Sequence, residues 1–260
     1  MGSMVSLDVK LIPEESRWMA AAEECLQLFE TPPARVLVAE EDNHCFRVCY
    51  PIARHALNQV EACLTLIRTG LVYPAVANVR VAFEHALVAQ WVLLTDQGER
   101  AFVAATRRSS AAFVKDFAQY AKIPDDLLAG ADDPSRDGGN FPNMQSLCDR
   151  FDGKTKKIYT VYRSLSGAVH PSASTLARHL EWDAATDNFR LRPKGSTELP
   201  TDLAMALGWS AVMASYVIET LKQEKSRVKE VERIARRGGL PMDLRSDDTQ
   251  PHFQRRSSGL

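Results

Sequence analysis

The chain has 260 residues, 45% of them apolar, enough to bury the core of one large domain or two small ones. Its 32 basic and 33 acidic side chains leave a formal net charge of −1, which excludes coating of nucleic acid by bulk electrostatics and leaves room for a local basic site. No run of about 18 apolar residues marks a membrane span, and no charged start followed by an apolar core marks a secretion signal, so the expected setting is the cytoplasm, with no membrane partner.

The opening Met1-Gly2-Ser3-Met4 reads as a tag scar before a native Met4. With the following arm it occupies residues 1–13 and is set aside. Residues 14–30 then predict a first helix, with Trp18, Met19, Ala22, Cys25, Leu26 and Phe29 at helical spacing and Pro32-Pro33 ending it. Residues 34–42 fit either a short strand or a linker. A long helix over 45–69 buries Val48, Ile52, Ala56, Val60, Cys63, Leu64 and Ile67 and closes at Gly70. Pro51 either kinks it or marks its true start.

A second long helix spans about 73–95, with Val76, Val79, Phe83, Leu87, Gln90 and Trp91 inward, and a third spans about 97–121. Residues 122–142 are rich in Pro, Asp and Gly and read as an exposed loop. A short helix follows Pro142, and another covers about 155–170. Two alternating runs, 179–183 and 188–192, flank Ala184-Ala185-Thr186-Asp187 and predict a hairpin. One last helix over 200–237, apolar and then charged, ends at Gly238-Gly239, and 241–260 reads as a disordered polar tail. Together these define an all-α bundle of five to six helices over 14–240, with a small β-hairpin appendage.

The five cysteines, Cys25, Cys45, Cys49, Cys63 and Cys148, fit reduced structural thiols. His44-Cys45-x3-Cys49 resembles half of a metal site, but no second Cys/His pair follows at zinc-finger spacing. No metal and no cofactor is expected. Gly-rich phosphate loops, nucleophile elbows and His-Glu-x2-His helices are absent from the sequence. Trp91, Trp182 and Trp209 sit in apolar settings and read as core or interface.

The stretch Tyr162-Arg-Ser-Leu-Ser166-Gly-Ala-Val-His170-Pro171 carries the chemistry. Arg163 and His170 are seven residues apart, close to two helical turns, and so project from nearly one face. Pro171 bars the preceding residue from helical geometry and places His170 at the helix end. A guanidinium grips phosphate through a planar fork of donors, and an imidazole ordinarily titrates near neutrality. Metal-independent RNA cleavage needs both: a proton must leave a 2′-hydroxyl, and the phosphorane that forms carries extra negative charge.

This pattern resembles the Arg-x4-6-His signature of the HEPN superfamily (higher eukaryotes and prokaryotes nucleotide-binding). The resemblance covers this segment and the helical architecture. It implies a homodimer in which arginine and histidine of both copies form a metal-independent endoribonuclease of toxin or phage-defence type, with RNA as partner. Ser164 stands loosely for the polar residue that usually follows the arginine. A second resemblance runs over roughly residues 50–170. Gly70-Leu-Val-Tyr-Pro-Ala-Val-Ala-Asn-Val-Arg80-Val-Ala-Phe-Glu84, with the later Tyr162-x2-Leu165-Ser166-x3-His170-Pro171, is similar to a bacterial helical family of unknown function.

Arg80 and Glu84 lie one turn apart in an otherwise apolar stretch with His85. Charges in such a setting need partners. One reading is an intrahelical ion pair; the other sets Arg80, Glu84, His85, Tyr162 and Ser166 as a binding shell beside His170, with Glu84 orienting the imidazole or Arg80 holding an anion. Arg54, His55 and Glu61 read as ordinary surface groups. Two alternatives to the ribonuclease remain open: a non-catalytic helical scaffold with a structural polar cluster, and a small-molecule sensor using the bundle interior.

Overall fold

A computed structural model describes residues 12–30, 36–132, 140–152, 154–193, 195, 198–225 and 227–244. Helix α1 spans Pro13–Gln27, α2 Asn43–Arg68, α3 Val72–Leu94, α4 Gly98–Phe117 and α5 Asp125–Asp132. Then come α6 Met144–Asp152, α7 Lys157–Val169 and α8 Ala173–His179, the strands β1 Leu180–Asp183 and β2 Asn188–Leu191, and finally α9 Thr201–Thr220 and α10 Val228–Gly238. The protein is an all-α bundle with one small antiparallel hairpin.

The bundle is organised around α9. Residues Leu203 to Thr220 are almost all buried, because α1, α2 and α3 pack around the helix. A helix apolar on every side belongs in an interior. By length and composition α9 is also apolar enough to cross a membrane, but 83% of its apolar window is buried inside the bundle. A close approach makes the packing with α1 possible: a Cβ on Gly208 would lie 2.6 Å from the Trp18 carbonyl oxygen. Glu15, itself buried, pins the two helix starts by accepting from the Ile12 N–H at 3.1 Å and from the Thr201 hydroxyl at 2.6 Å.

A three-residue connection folds α2 against α3, its most extensive packing partner. The predicted stripe of α2 is buried from Ile52 to Ile67, while Val48 is half-buried against it. All six inward positions predicted for α3 are buried. Pro51 lies inside α2, on an exposed face eight residues after its start, so it does not begin the helix. All five cysteines are buried. Burial pushes the thiols of Cys25, Cys63 and Cys148 up to about 12.

Three parts of the chain differ from the sequence expectation. The loop expected over 122–142 contains α5, which starts on the Pro124 carbonyl with Asp125 and Asp126 in its first turn. Proline and aspartate favour loops, and at a helix start they favour helix. Of the exposed run expected over Asp132–Asn140, Asp132 ends α5 and Asn140 is exposed, and residues 133–139 lie outside the described residues. The segment after Pro171 forms the unforeseen α8. The single helix expected over 200–237 is two helices, because the charged residues after Leu221 cannot follow α9 into the core. The chain turns at Lys225, whose φ is 46°, and α10 folds back to bury Val231, Ile234 and Ala235 against α1 and α9. Gly239 ends α10 in the left-handed region at φ 62°, and Leu240 N–H bonds the Ala235 carbonyl at 2.9 Å, a helix-ending turn that glycine favours.

The start of the expected tail is also packed. Gln90, fully buried, donates to the Met213 carbonyl at 3.3 Å and the Met242 carbonyl at 3.1 Å, and accepts from Leu244 N–H at 3.4 Å. The tail beyond residue 244 and the arm before residue 12 lie outside the described residues. The expected hairpin is present, with Leu180 paired to Leu191 and Trp182 to Phe189. Trp91 and Trp209 are core residues, whereas Trp182 is 53% exposed.

Candidate functional site

Helix α7 carries Arg163 and delivers His170. Its start is held by Asp152, a buried carboxylate at the end of α6 that accepts from Ile158 N–H at 2.6 Å and Tyr159 N–H at 2.8 Å. Free N–H groups and the positive end of the helix dipole favour a carboxylate there. Ile158, Val161 and Leu165 form the buried stripe of α7, which packs mainly against α3. That stripe forces Arg163 and Ser164 to the opposite, exposed side. The Arg163 guanidinium lies 5.9 Å from the centre of the Tyr159 ring one turn earlier. Ser164 donates to the Asp202 carboxylate at the start of α9.

At its other end α7 stops at Val169. His170 takes an extended backbone, φ −102° and ψ 147°, as the following proline dictates. Three side chains tie down this corner. Ser172 donates to the Gly167 carbonyl at 2.6 Å and Thr175 to the His170 carbonyl at 3.3 Å. The Tyr73 hydroxyl lies 3.0 Å from the Ala168 carbonyl and 3.1 Å from the Thr175 hydroxyl, and its single proton serves one or the other. Carbonyls of the last turn, which a helix end leaves without partners, thus meet side-chain hydroxyls at Gly167 and Ala168. The imidazole of His170 is exposed and makes no side-chain hydrogen bond among the described residues.

The polar group on α3 is built differently. Arg80 Nη2 sits 3.0 Å from Glu84 Oε1, with the two side chains only 20% and 24% exposed. The same nitrogen donates to the Tyr162 hydroxyl at 3.2 Å, and the guanidinium lies 5.5 Å from that ring's centre. Burial alone would lower the Arg80 pKa, but the hydrogen bond to Tyr162 and the Glu84 charge outweigh it and hold it above its ordinary value. His85 turns away: its Nδ1 is 2.8 Å from the Val81 carbonyl, and its ring lies 4.6 Å from that of His55 on α2. Burial, with the His55 charge adding to it, lowers the His85 pKa against the opposing Val81 hydrogen bond and Glu84 charge.

The structure therefore brings Arg80, Glu84 and Tyr162 together and puts His85 with His55. Ser166 donates back to the Tyr162 carbonyl at 2.8 Å, an internal helix bond. Glu84 meets Arg80 rather than His170, and Tyr162 lies about 12 Å before His170 along the helix axis. Sequence reasoning missed Tyr73, Asp152 and Asp202. Tyr73 lay in plain view before Pro74, at the head of α3, but its partner is some 95 positions away, and no local pattern signals such a bond.

Fold and site define an all-α bundle protein that presents an arginine midway along one late helix and a histidine at its end, and holds a second arginine in an ion pair beneath it. The chain belongs to a family of unknown function (DUF5677), which matches residues 46–189, more than half of it. No curated protein and no solved structure matches the chain. The matched segment runs from α2 to β2 and contains Arg80, Glu84, Tyr162, Arg163 and His170, but not α1, α9 or α10.

Proposed function

We propose that the protein is a cytoplasmic, HEPN-like, RNA-processing module that works as a homodimer and cleaves RNA without a metal ion, in a toxin or phage-defence setting. The observation that supports this reading is the exposure of both Arg163, midway along α7, and His170, at its end, on a helix whose two ends are held by side-chain hydrogen bonds. An acid–base group must be able to reach its substrate, and it must be held still. In this reading His170 takes the proton of a 2′-hydroxyl. The 2′-oxygen bonds to phosphorus, the bond to the 5′-oxygen breaks, and that oxygen leaves with a proton from the partner copy's imidazole, giving a 2′,3′-cyclic phosphate. Arg163 holds the non-bridging oxygens as charge builds on them. Arg80 and Glu84 stiffen α7 from beneath, through Tyr162.

The test is incubation of the purified protein with labelled RNA in excess EDTA, beside the His170→Ala variant. Cleavage by the wild type that disappears in the variant supports the reading. Intact RNA with both proteins folded overturns it. A second reading, a non-catalytic binding scaffold, draws on the exposed aromatic residues Phe113, Phe117 and Tyr120 of the α4–α5 arm and leads if RNA stays intact.

A further inference from the structure

The hairpin presents an uncovered apolar face. Alternation along the strands sets Leu180 and Trp182 on one side, and the register adds Leu191 and Phe189 to it. Trp182 is 53%, Phe189 58% and Leu191 73% exposed, although Trp182 and Phe189 pack edge to face at 5.1 Å. The opposite face holds the charges, and they are mutually satisfied: Arg192 pairs with Glu181 at 2.7 Å and Arg190 with Asp183 at 3.7 Å. An isolated two-stranded hairpin with one bare apolar face is marginal in water, and a contiguous apolar patch of this kind marks an interaction surface.

We propose that this face is where a second copy of the chain docks, hairpin against hairpin. This deepens the two-copy part of the proposed function by naming the surface. Three observations choose the occupant. Residues 180–192 carry three acidic and two basic side chains, and both arginines are already paired, so the face does not attract a phosphate backbone. The face is self-complementary: a bulky aromatic pair stands near the turn and a smaller leucine pair at the base. A two-fold axis reverses one hairpin over the other and sets large against small in both halves, as an isologous contact requires. The area is also adequate. The exposed parts of Trp182, Phe189 and Leu191 amount to about 400 Å² per copy, and with the surrounding rim a pair of copies reaches the ~1,000 Å² that a specific interface needs. Because β1 follows α8, which packs on α7, such a dimer brings the His170 corners of both copies to its rim.

Sedimentation velocity of the full chain over a concentration series tests this. The wild type is expected to dimerise. Leu191→Glu and Phe189→Ser, both at exposed positions and checked for folding by thermal melts, are expected to weaken self-association more than about tenfold. Phe113→Asp, on the equally exposed face of α4, is expected to leave it unchanged. A wild type that stays monomeric, or a Leu191→Glu variant that dimerises like the wild type, overturns the inference. So does a monomer that captures a single-stranded oligonucleotide through this face. RNA cleavage is read separately, so a dimer without cleavage sinks only the reaction, and cleavage by a monomer sinks only the docking face.

Discussion

The α3–α9 interior and the α7 end of this molecule treat polar groups in opposite ways, while the charges of the neighbouring hairpin pair with one another. In the interior every charge described above has an assigned partner: Arg80 has Glu84 and Tyr162, and Glu15 spans two helix starts. At the other end Arg163 and His170 are exposed, and so are Trp182, Phe189 and Leu191. Both regions contain an arginine one or two turns from a second polar residue, yet only burial turned one of them into an ion pair. The physical reason is cost: an unpaired charge is expensive inside and cheap in water. Polar groups left uncommitted where partners were not required are those free to meet something from outside.

The contrast breaks most visibly at His170. In the EDTA assay, His170→Ala is expected to lower cleavage by about 10²–10⁴-fold with an unchanged melting temperature; a drop in stability as well would mean that the imidazole is structural after all. On the interior side, Gly208→Ala is expected to destabilise by about 1–3 kcal/mol in chemical denaturation, because the new methyl group meets the Trp18 carbonyl and two packed helices must separate. A neutral result would mean that α1 is loosely held.

The two arginines then give a direct comparison. Arg80→Ala is expected to cost about 1 kcal/mol, a value reduced for partial exposure, and Arg163→Ala to fall within about 0.5 kcal/mol of wild type. Equal costs would erase the distinction between the two regions. Gly167 offers a smaller effect of opposite sign: nothing lies within 4 Å of a Cβ built there, so Gly167→Ala is expected to stabilise α7 by about 0.5–1 kcal/mol, measured as a rise in denaturation midpoint. Smallest is the pH response of His85. Its pKa is lowered on folding, so the unfolded chain binds the proton more readily. The His85 contribution is complete above the ordinary histidine value of 6.5 and is lost as pH falls from there through the lowered folded value. Denaturation at pH 7.5 and 5.5 is expected to show a loss at the lower pH that His85→Gln reduces; the same loss in both proteins would assign it to other groups.

The helical elements were largely legible in the sequence because apolar spacing of 3 and 4 is a local signal. The six inward residues of α3 and the stripe of α2 follow from it directly, and the hairpin follows from the alternation of two short runs about a polar turn. The misread places share one cause. Whether Pro124-Asp125-Asp126 starts a helix or sits in a loop depends on the neighbour that the segment meets, and α4 supplies it. Whether the chain after Leu221 continues or turns depends on whether Val231, Ile234 and Ala235 can reach α1, which local propensity does not encode. Of the site, the Arg163–His170 spacing and the Arg80–Glu84 pair were readable. The Tyr73, Asp152 and Asp202 contacts were not, since each joins different elements.

The sequence by itself determined an all-α chain, its long helices, their inward faces, the hairpin, and the placement of His170 at a helix end, because periodicity and a following proline act over a few residues. Tertiary structure alone decided which arginine would be paired and which exposed, where α9 gives way to α10, and that the apolar face of the hairpin would stay bare. Those outcomes depend on burial, and burial is set by how distant segments pack together.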